Sequence, residues 1–366
     1  MSLTNFRQTI KRFDWFIVAA SVFLSVSGLM AIFSSSFYLE DFLNFKKQLI
    51  FLILSLVIMF VAGLIDWRIF RDGPYLVFVL YIISLASLIG LLFFGIEVRG
   101  SRSWYELGPI SFNPIEFTKL VLVILLAKYF STRHVEVYRI RHMLISGVYI
   151  FIPALLILLQ PEVGSVIILG LIWVGVLVIS GIRVKHFLIL CLCGLVLLAL
   201  SWSFLLQDYH KARIASFLSP SLAPLGIGWN QTQAKVAIGS GGLWGQGFGR
   251  GTQIRYGFLP ASQTDFIFAG LAEEWGLFGA GLVLLAFGIL VWRMVKISLS
   301  SQSNFPRLFS AGLAIIIVAQ VVINVGMNLG LLPIIGIPLP LVSYGGSSLL
   351  ATFLGLGILQ SMELTP

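Results

Sequence analysis

This 366-residue chain contains ten apolar runs, which are separated by more polar segments. Each run extends for about 20 residues, which is the length a helix needs to cross the hydrocarbon core of a bilayer. The apolar residues follow one another without the alternation of a barrel strand, so the runs predict helices and exclude a closed β-barrel. The pattern therefore predicts an all-α, polytopic membrane bundle of ten transmembrane helices. The predicted spans are residues 15–35, 48–65, 75–94, 114–130, 142–160, 162–180, 186–206, 265–292, 308–329 and 342–361.

The composition agrees with a membrane protein. Hydrophobic residues make up 58% of the chain and charged residues 11%, and the mean hydropathy is +1.00. Soluble domains carry roughly 25% charged residues, so the sequence indicates an integral membrane protein, and we expect residues 1–366 to form one domain. The first run begins after Asp14, is too long for a signal peptide and lacks a small-residue cleavage site. We therefore expect it to remain as a membrane anchor.

The Lys and Arg residues are concentrated on one side of the predicted bundle. The segments on the side of the N-terminus hold most of them, whereas the short connections on the opposite side hold few. By the positive-inside rule, both termini are predicted to be cytoplasmic. Five further cations lie in one long outer connection, to which the rule does not apply. They are Lys211, Arg213, Lys235, Arg250 and Arg255.

This large outer loop, residues 207–264, separates predicted helices 7 and 8. Its only acid is Asp208, and residues 239–251 read GSGGLWGQGFGRG. A long loop in a compact protein is usually functional or disordered, and its aromatic residues favour stretches that lie on the membrane surface. Two other outer segments are residues 95–113 and 329–348. Because the second of these is apolar and rich in proline, we expect it to re-enter the membrane beside the long loop.

Three carboxylates fall where predicted helices begin at the outer face. Glu116 and Glu162 can be explained as helix-start acids, since Asn113 can cap the first of these helices and acids are favourable near a helix N-terminus. Together with Asp265 they can also line one polar cavity that opens outward, as ionisable residues in membranes generally do. Lys119 follows Glu116 by three residues, so the two side chains share a helix face and can pair.

Asp265 closes the basic, glycine-rich loop. If Thr264 or Gln263 caps the helix, Asp265 is only a favourable acid in its first turn. Alternatively, an acid at this place can take a proton from a hydroxyl group that binds in the cavity. Glu273 and Glu274 lie deeper in the same predicted helix and point about 100° apart. We interpret them as buried hydrogen-bonding partners, with a proton relay as the alternative.

The sequence gives little support for a disulfide, a metal site, a nucleotide-binding loop or a nucleic-acid interface. Cys191 and Cys193 are two apart on a predicted helix and point away from each other, so they predict neither a disulfide nor a metal site. The four histidines are scattered. The glycine stretch lacks the phosphate-binding loop pattern, although its backbone N–H groups and nearby cations can still cradle phosphate. Topology already explains the inner basic residues, so no nucleic-acid binding is indicated.

Several motifs resemble the SEDS family (shape, elongation, division and sporulation) of bacterial cell-wall glycosyltransferases, which includes RodA and FtsW. The stretch INVGMNLGLLPIIGIPLPLVSYGGSS (323–348) is similar to the family signature near the C-terminus. AKVAIGSGGLWGQGFGRGTQ (234–253) and FLPASQTDFIFAGLAEEWGLFG (258–279) resemble the central segment. RGSRSWYELGPISFNPIEFTK (99–119) and QPEVGS (160–165) resemble two further blocks. The resemblance extends over nearly the whole chain.

The short N-terminus, GIPLPLVSYGG and the ending GLGILQSM are more similar to the RodA branch than to FtsW. The chain departs from the family pattern at two blocks. It has Asn113-Pro114-Ile115-Glu116 where the family usually has Gln-Pro-Ser-Glu, and Gln160-Pro161-Glu162 where the family usually has Gln-Pro-Asp. Both changes keep the carboxylate, but the second puts in doubt any role that needs the shorter side chain.

The resemblance implies a peptidoglycan glycosyltransferase that polymerises lipid II on the outer face of the bacterial cytoplasmic membrane, for cell elongation and rod shape. The essential aspartate of the family matches Asp265, which we assign as the general base for the acceptor hydroxyl. A divalent cation, Mg²⁺ or Mn²⁺, can share the stabilisation of the pyrophosphate, although the sequence presents no dedicated ligand set. The candidate substrate-binding residues are Lys119, Glu116, Arg102, Arg213, Lys235, Arg250, Arg255, Glu162, Ser343 and Tyr344.

The resemblance also implies partners, and two rival functions stay open. The expected partners are a class B penicillin-binding protein, which is a transpeptidase, the nascent glycan strand and other membrane proteins of the elongation complex. A lipid II flippase would spread functional groups across both leaflets, whereas here they are concentrated at the outer face. A noncatalytic scaffold for the transpeptidase would tolerate replacement of Asp265.

Overall fold

A computed structural model of the chain describes residues 13–98, 101–108, 110–132, 140–204, 211, 213, 215–217 and 227–364. Each of the ten predicted spans coincides with a helix. The helices are α1 Trp15–Leu39, α2 Leu43–Leu64, α3 Arg68–Asp72, α4 Leu76–Phe94, α5 Pro114–Ser131, α6 Ile140–Leu158, α7 Val163–Ile179, α8 Val184–Phe204, α9 Ile227–Gly241, α10 Thr252–Arg255, α11 Ile267–Ser300, α12 Asn304–Leu329 and α13 Gly346–Leu364.

Within these described residues, seven helices are long and apolar enough to cross a membrane. They are α1, α2, α4, α6, α11, α12 and α13. Two of the other predicted spans, α7 and the first part of α8, are apolar but shorter. The remaining span, α5, contains the charged residues Glu116, Lys119 and Lys128. The all-α membrane bundle predicted from the apolar runs is confirmed.

The helices divide into a buried centre and an edge. In α12 and α13, 72% of the most apolar window is buried, whereas α4 and α6 bury only 28%. The central helix α12 packs against α5, α7 and α11, and α13 packs against α2. The edge helices expose large apolar side chains, such as Phe78, Ile83, Leu144 and Phe151, as helices that face lipid do.

The first helix is tied to the last at the inner end of the bundle. The Asp14 carboxylate caps α1 by accepting a hydrogen bond from the backbone N–H of Phe16 at 3.0 Å, and it pairs with Arg293 on α11. The side-chain amide of Gln360 on α13 donates to the backbone carbonyl of Asp14 at 3.0 Å. Sequence-distant helices are thus held together by polar contacts that α1 could not satisfy alone.

The outer segment after α4 forms a small antiparallel sheet, which the apolar pattern did not predict. Its strands are β1 Ile96–Val98, β2 Ser101–Leu107 and β3 Ile110–Phe112, in the order β1-β2-β3. The hydroxyl of Ser101 and the backbone N–H of Arg102 both donate to the backbone carbonyl of Gln160, at 2.9 and 3.3 Å. The sheet is therefore docked on the connection between α6 and α7.

Helix α11 is broken at Gly276, and part of the long loop fills the break. Gly276 has φ 68° and ψ −170°, a conformation that is essentially restricted to glycine. The carbonyls of Glu273 and Glu274, freed on one side of the break, accept hydrogen bonds from the N–H groups of Gln246 and Gly247, both at 3.0 Å.

On the other side of the break, the N–H groups of Leu277 and Phe278 donate to the carbonyls of Gly242 and Leu243, at 2.9 and 3.1 Å. The glycine-rich loop therefore supplies the backbone partners that a continuous helix would supply to itself. Among the described residues, the loop between α8 and α11 is ordered around α9 and α10 and is packed on the bundle.

Candidate active site at the outer end of the bundle

The outer end of the bundle is the end at which α5, α7 and α11 begin. Asp265 lies here in a turn that precedes α11, two residues before the helix begins at Ile267. Phe266 occupies the N-cap position, and the first turn of α11 contains no acid. The alternative in which Asp265 is merely a first-turn acid capped by Thr264 or Gln263 is therefore wrong.

The backbone at Asp265 is fixed by two asparagines from α12. The side-chain amides of Asn324 and Asn328 donate to the carbonyl of Asp265 at 3.1 and 3.0 Å. The side-chain Oδ1 atom of Asn328 accepts a hydrogen bond from the N–H of Ala269 at 3.1 Å. The side-chain amide of Asn324 also donates to the backbone carbonyl of Ile337 at 2.8 Å. Because both asparagines are fully buried, these bonds set the position of Asp265 firmly.

The residues just before Asp265 are held by the segment between α12 and α13. The hydroxyl of Ser343 donates to the carbonyl of Thr264 at 2.7 Å and accepts from the N–H of Leu339 at 2.9 Å. The N–H of Tyr344 donates to the carbonyl of Gln263 at 2.8 Å. Both predicted substrate-binding residues therefore contact the turn that carries Asp265, and the hydroxyl of Ser343 is engaged in backbone contacts.

The carboxylate of Asp265 shares a space with a predicted cation. Its Oδ2 atom and the Nη1 atom of Arg213 lie 3.9 and 4.0 Å from the point where a Cβ atom on Gly336 would be. The same Arg213 nitrogen donates to the carbonyl of Ile335 at 3.3 Å. Gly336 has φ +82°, a backbone conformation that favours glycine.

The pair predicted on α5 is present. Asn113 caps the helix by accepting a hydrogen bond from the N–H of Ile115 at 2.9 Å, and Pro114 follows at the first helical position. The Nζ atom of Lys119 lies 2.7 Å from Oε1 of Glu116. The Lys119 side chain is only 2% exposed, so its charge is compensated mainly by Glu116.

A small pocket of about 20 Å³ lies beside this ion pair. Its walls come from three helices, α5, α12 and α13, and are apolar apart from the ion pair and Thr352. The lining residues on α12 are Leu313, Ile316 and Ile317, roughly two turns deeper than Asn324 on the same helix. The pocket therefore lies deeper in the bundle than the asparagines that hold the main chain of Asp265.

Glu162 lies immediately before α7 and does not cap it with its side chain. Its Oε1 atom accepts a hydrogen bond from the hydroxyl of Ser165 at 2.6 Å. Lys119 is close enough to act on it electrostatically. A Cβ atom on the neighbouring Gly164 would lie 3.0 Å from Ile335, so the start of α7 packs on the segment whose Gly336 lies next to Asp265.

The other predicted cations are distributed over the outer surface. Lys235 on α9 is exposed and packs against Gly330. Arg250 and Arg255 are exposed in the loop between α9 and α11. Arg102 is exposed on β2, where its Nε atom lies 3.6 Å from Oε2 of Glu97. Of the predicted cations, Arg213 is the one that the contacts above place beside the Asp265 carboxylate.

The sequence interpretation did not single out Asn324 or Asn328. Their signal is their spacing, because two asparagines four residues apart on an apolar helix lie on one face and each needs a partner inside the membrane. Gln263 was considered only as a possible helix cap, whereas its side chain accepts a hydrogen bond from the amide of Asn44 at 2.7 Å and so connects the Asp265 turn to α2.

No group of three or more His, Cys, Asp and Glu side chains that could hold a metal ion occurs in the described part of the chain. Cys191 and Cys193 on α8 are both exposed. A divalent cation at Asp265 would therefore take most of its ligands from substrate phosphates and water, which is a mode that Mg²⁺ commonly uses.

Comparison with known proteins identifies the family. The sequence profile of the cell cycle proteins FtsW, RodA and SpoVE matches residues 11–365. The chain belongs to this family. The peptidoglycan glycosyltransferase MrdB of Escherichia coli strain K12 is 37% identical over 341 residues, which cover 93% of this chain and 90% of that protein. Stage V sporulation protein E of Bacillus subtilis strain 168 is 35% identical over 366 residues, which cover 96% of both chains.

Two solved structures share the fold over almost its whole length. A chain from a structure described as the structural coordination of polymerization and crosslinking by a peptidoglycan synthase complex is 30% identical, with a TM-score of 0.82, and the match covers 96% of this chain and 97% of that one. The rod shape determining protein RodA of Thermus thermophilus is 30% identical, with a TM-score of 0.72 and 96% of both chains covered. This FtsW/RodA/SpoVE family member is a multi-pass protein of the bacterial cytoplasmic membrane.

Proposed function

We propose that this chain is a peptidoglycan glycosyltransferase that polymerises lipid II on the outer face of the cytoplasmic membrane. The similarity to MrdB supports this activity, since MrdB is a peptidoglycan glycosyltransferase and the match covers 93% of this chain and 90% of that protein. The observation that carries the proposal is the arrangement at Asp265. Its backbone is fixed by buried side chains, while its carboxylate lies at the partly exposed space over Gly336.

The proposed reaction transfers a glycan from its lipid pyrophosphate to an acceptor sugar. Asp265 accepts the proton of the acceptor 4-hydroxyl as the oxygen forms a bond to the anomeric carbon of the donor. The bond from that carbon to the pyrophosphate oxygen breaks, and the lipid pyrophosphate leaves as an anion. A carboxylate in this role contributes about 10²- to 10⁴-fold to the rate, and it must be placed within hydrogen-bond reach of the hydroxyl.

The leaving pyrophosphate needs positive charge, and Arg213 is the first candidate to supply it. Its guanidinium lies beside the same Gly336 space as the Asp265 carboxylate, so one substrate can contact both groups. A planar guanidinium binds phosphate oxygens in pairs and keeps its charge at any physiological pH. Arg102, Lys235, Arg250 and Arg255 are further candidates on the outer surface. The described residues offer no preformed ligand group for Mg²⁺ or Mn²⁺.

The proposed partner is a class B penicillin-binding protein that crosslinks the new strand. Support comes from the solved structure of a peptidoglycan synthase complex that coordinates polymerization and crosslinking, because one of its chains has the fold of this protein. Other membrane proteins of an elongation complex are expected to join the pair. The reaction then consumes lipid II and extends the nascent glycan strand.

The test is glycan-strand formation from purified lipid II in lipid nanodiscs, with the transpeptidase partner present. Wild-type protein is expected to produce polymer, and Asp265→Asn is expected to produce none while the complex remains assembled. Absence of polymer from the wild type would overturn the enzyme assignment in favour of a flippase or a scaffold. Polymer from Asp265→Asn at the wild-type rate would exclude Asp265 as the base.

A further inference from the structure

The loop that fills the break in α11 is held by more than its backbone. Glu273, one turn before the break, is fully buried. Its Oε1 atom accepts hydrogen bonds from the hydroxyl of Thr252 and from the N–H of Gln253, both at 2.9 Å. Thr252 and Gln253 are the first two residues of α10, so the carboxylate fixes the beginning of this four-residue turn.

Burial of a carboxylate is costly unless its oxygens have partners. Neither Glu273 nor Glu274 forms an ion pair among the described residues, and the Oε2 atom of Glu273 has no hydrogen-bond partner there. Among the described residues, the Glu273 carboxylate contributes the two hydrogen bonds of its Oε1 atom to α10.

Glu274 and Tyr38 hold the same loop from the side of α1. The hydroxyl of Ser34 on α1 donates to Oε1 of Glu274. The hydroxyl of Tyr38, also on α1, donates to the carbonyl of Gly249. The loop is thereby clamped between α1 and α11 immediately before α10.

The contacts of Glu273, Glu274 and Tyr38 with the loop also constrain the position of Arg255. Arg255 is the last residue of α10, and its guanidinium lies 5.7 Å from the ring centre of Tyr38 and 5.7 Å from that of Tyr256. Cation–π contacts of this kind restrict a long side chain that would otherwise move freely. Because α10 has only four residues, a shift of its first turn moves Arg255 directly.

We propose that Glu273 is a positioning residue that sets the Arg255 guanidinium, through α10, to bind the pyrophosphate of a lipid-linked glycan substrate. The inference rests on the proposed glycosyltransferase function, because it assigns Arg255 to the substrate of that reaction. Glu273 touches no reacting atom in this scheme. Its oxygen holds the turn, its charge takes no part, and an amide that accepts the same two hydrogen bonds replaces it.

The experiment compares Glu273→Ala, Glu273→Gln, Arg255→Ala and the double variant Glu273→Ala/Arg255→Ala with wild type. Each is purified with its partner in nanodiscs, and kcat and KM are measured with lipid II. The matched control is Glu106→Ala, which removes an exposed acid from β2 at the same end of the bundle. We expect Glu273→Ala and Arg255→Ala each to raise KM about tenfold, as the loss of a charged hydrogen bond does, with little change in kcat.

The double variant should be no worse than the poorer single variant, because both changes remove the same interaction. Glu273→Gln should restore KM to near the wild-type value, and Glu106→Ala should leave it unchanged. A second measurement uses trypsin, which cleaves after Arg250 and Arg255. Intact wild type should resist cleavage at these positions, and Glu273→Ala should be cut there first.

Additive effects of the two single variants would overturn the inference, and so would a wild-type KM in Glu273→Ala or a failure of Glu273→Gln to rescue. The same is true if trypsin cuts wild type and Glu273→Ala at Arg250 and Arg255 equally fast. In all these cases, wild type still makes polymer and Asp265→Asn still does not, so the proposed function survives. If wild type makes no polymer, the proposed function itself has failed.

Discussion

Asp265 and Glu273 are two acids at the start of one helix, and the protein uses them in opposite ways. At Asp265 the backbone carbonyl receives the buried asparagine amides, and the carboxylate lies at a partly exposed space beside Arg213. At Glu273 the carboxylate itself is fully buried and receives hydrogen bonds from α10. Glu273 is therefore held through its side chain, whereas Asp265 is held through its main chain.

The comparison teaches that partners, more than position, distinguish these acids. Both residues belong to the segment FLPASQTDFIFAGLAEEWGLFG, and both lie at the outer end of a membrane helix. A carboxylate on a rigid main chain is already in place when the substrate arrives.

The largest effect on the fold is expected from Gly276→Ala, which disturbs the break in α11 one turn after Glu273. An alanine there needs φ 68°, and its Cβ atom would meet the backbone of Leu243 and Gly245. We expect a loss of unfolding free energy of about 1–3 kcal/mol or more. The measurement is the midpoint of thermal unfolding in detergent, together with trypsin cleavage in the loop.

A matched control is Gly281→Ala, in the same helix, where an added Cβ atom meets nothing within 4 Å. This control should leave the unfolding midpoint near that of the wild type or raise it slightly, since alanine favours a helix more than glycine does. Equal midpoints for the two variants would show that the loop is not held by the break in α11.

The sequence predicted the helices well and the break poorly. Every apolar run became a helix, because continuous apolar residues in hydrocarbon leave the backbone no other way to satisfy its hydrogen bonds. The break at Gly276 has no such local signal, since a glycine is tolerated in a membrane helix. Its cause lies about 30 residues earlier, in loop backbone that only the folded chain brings to Glu273 and Leu277.

At the candidate site, too, the sequence predicted contacts between residues close in the chain but not contacts between distant ones. The spacing of Glu116 and Lys119 on one helix predicted their ion pair, and the structure confirms it. The three-stranded sheet was not predicted, because its short strands carry no clear alternation. The approach of Arg213 to Asp265 was equally beyond the sequence, since it depends on the backbone at Gly336 between them. The assignment of substrate-binding roles to these residues stays a prediction.

The next largest effect is expected from Asn328→Ala, which weakens the hold on the main chain of Asp265. This change removes one hydrogen bond to the carbonyl of Asp265 and leaves the N–H of Ala269 without its partner. The cost of such a change is about 1–3 kcal/mol, and we expect polymerisation to fall about tenfold while lipid II binding changes less. The measurement is kcat against KM for polymer formation.

Asn230→Ala is the control for this variant, because Asn230 lies on α9 and has no hydrogen bond to the Asp265 turn. The control should keep the wild-type kcat. If Asn328→Ala also keeps it, the asparagine contacts serve stability alone, and the position of Asp265 does not depend on them.

The smallest effect is expected from Ser343→Ala. The hydroxyl of Ser343 connects Thr264 to Leu339 but does not reach Asp265 itself. We expect a stability loss of about 1 kcal/mol and a modest fall in kcat, both smaller than in Asn328→Ala. Thermal unfolding and polymer formation measure the two effects. A loss of activity as complete as that of Asp265→Asn would instead place the Ser343 hydroxyl in contact with substrate.

The most direct test of the account applies one chemical change, acid to amide, at both positions of the comparison. Asp265→Asn and Glu273→Gln are prepared with the partner in nanodiscs, and lipid II binding and polymerisation are measured on the same samples. The account predicts that both variants bind lipid II nearly as wild type does. Polymerisation should fall about 10²- to 10⁴-fold in Asp265→Asn and stay near the wild-type rate in Glu273→Gln. Equal rates in the two variants, or a fall in Asp265→Asn that merely follows weaker binding, would contradict it.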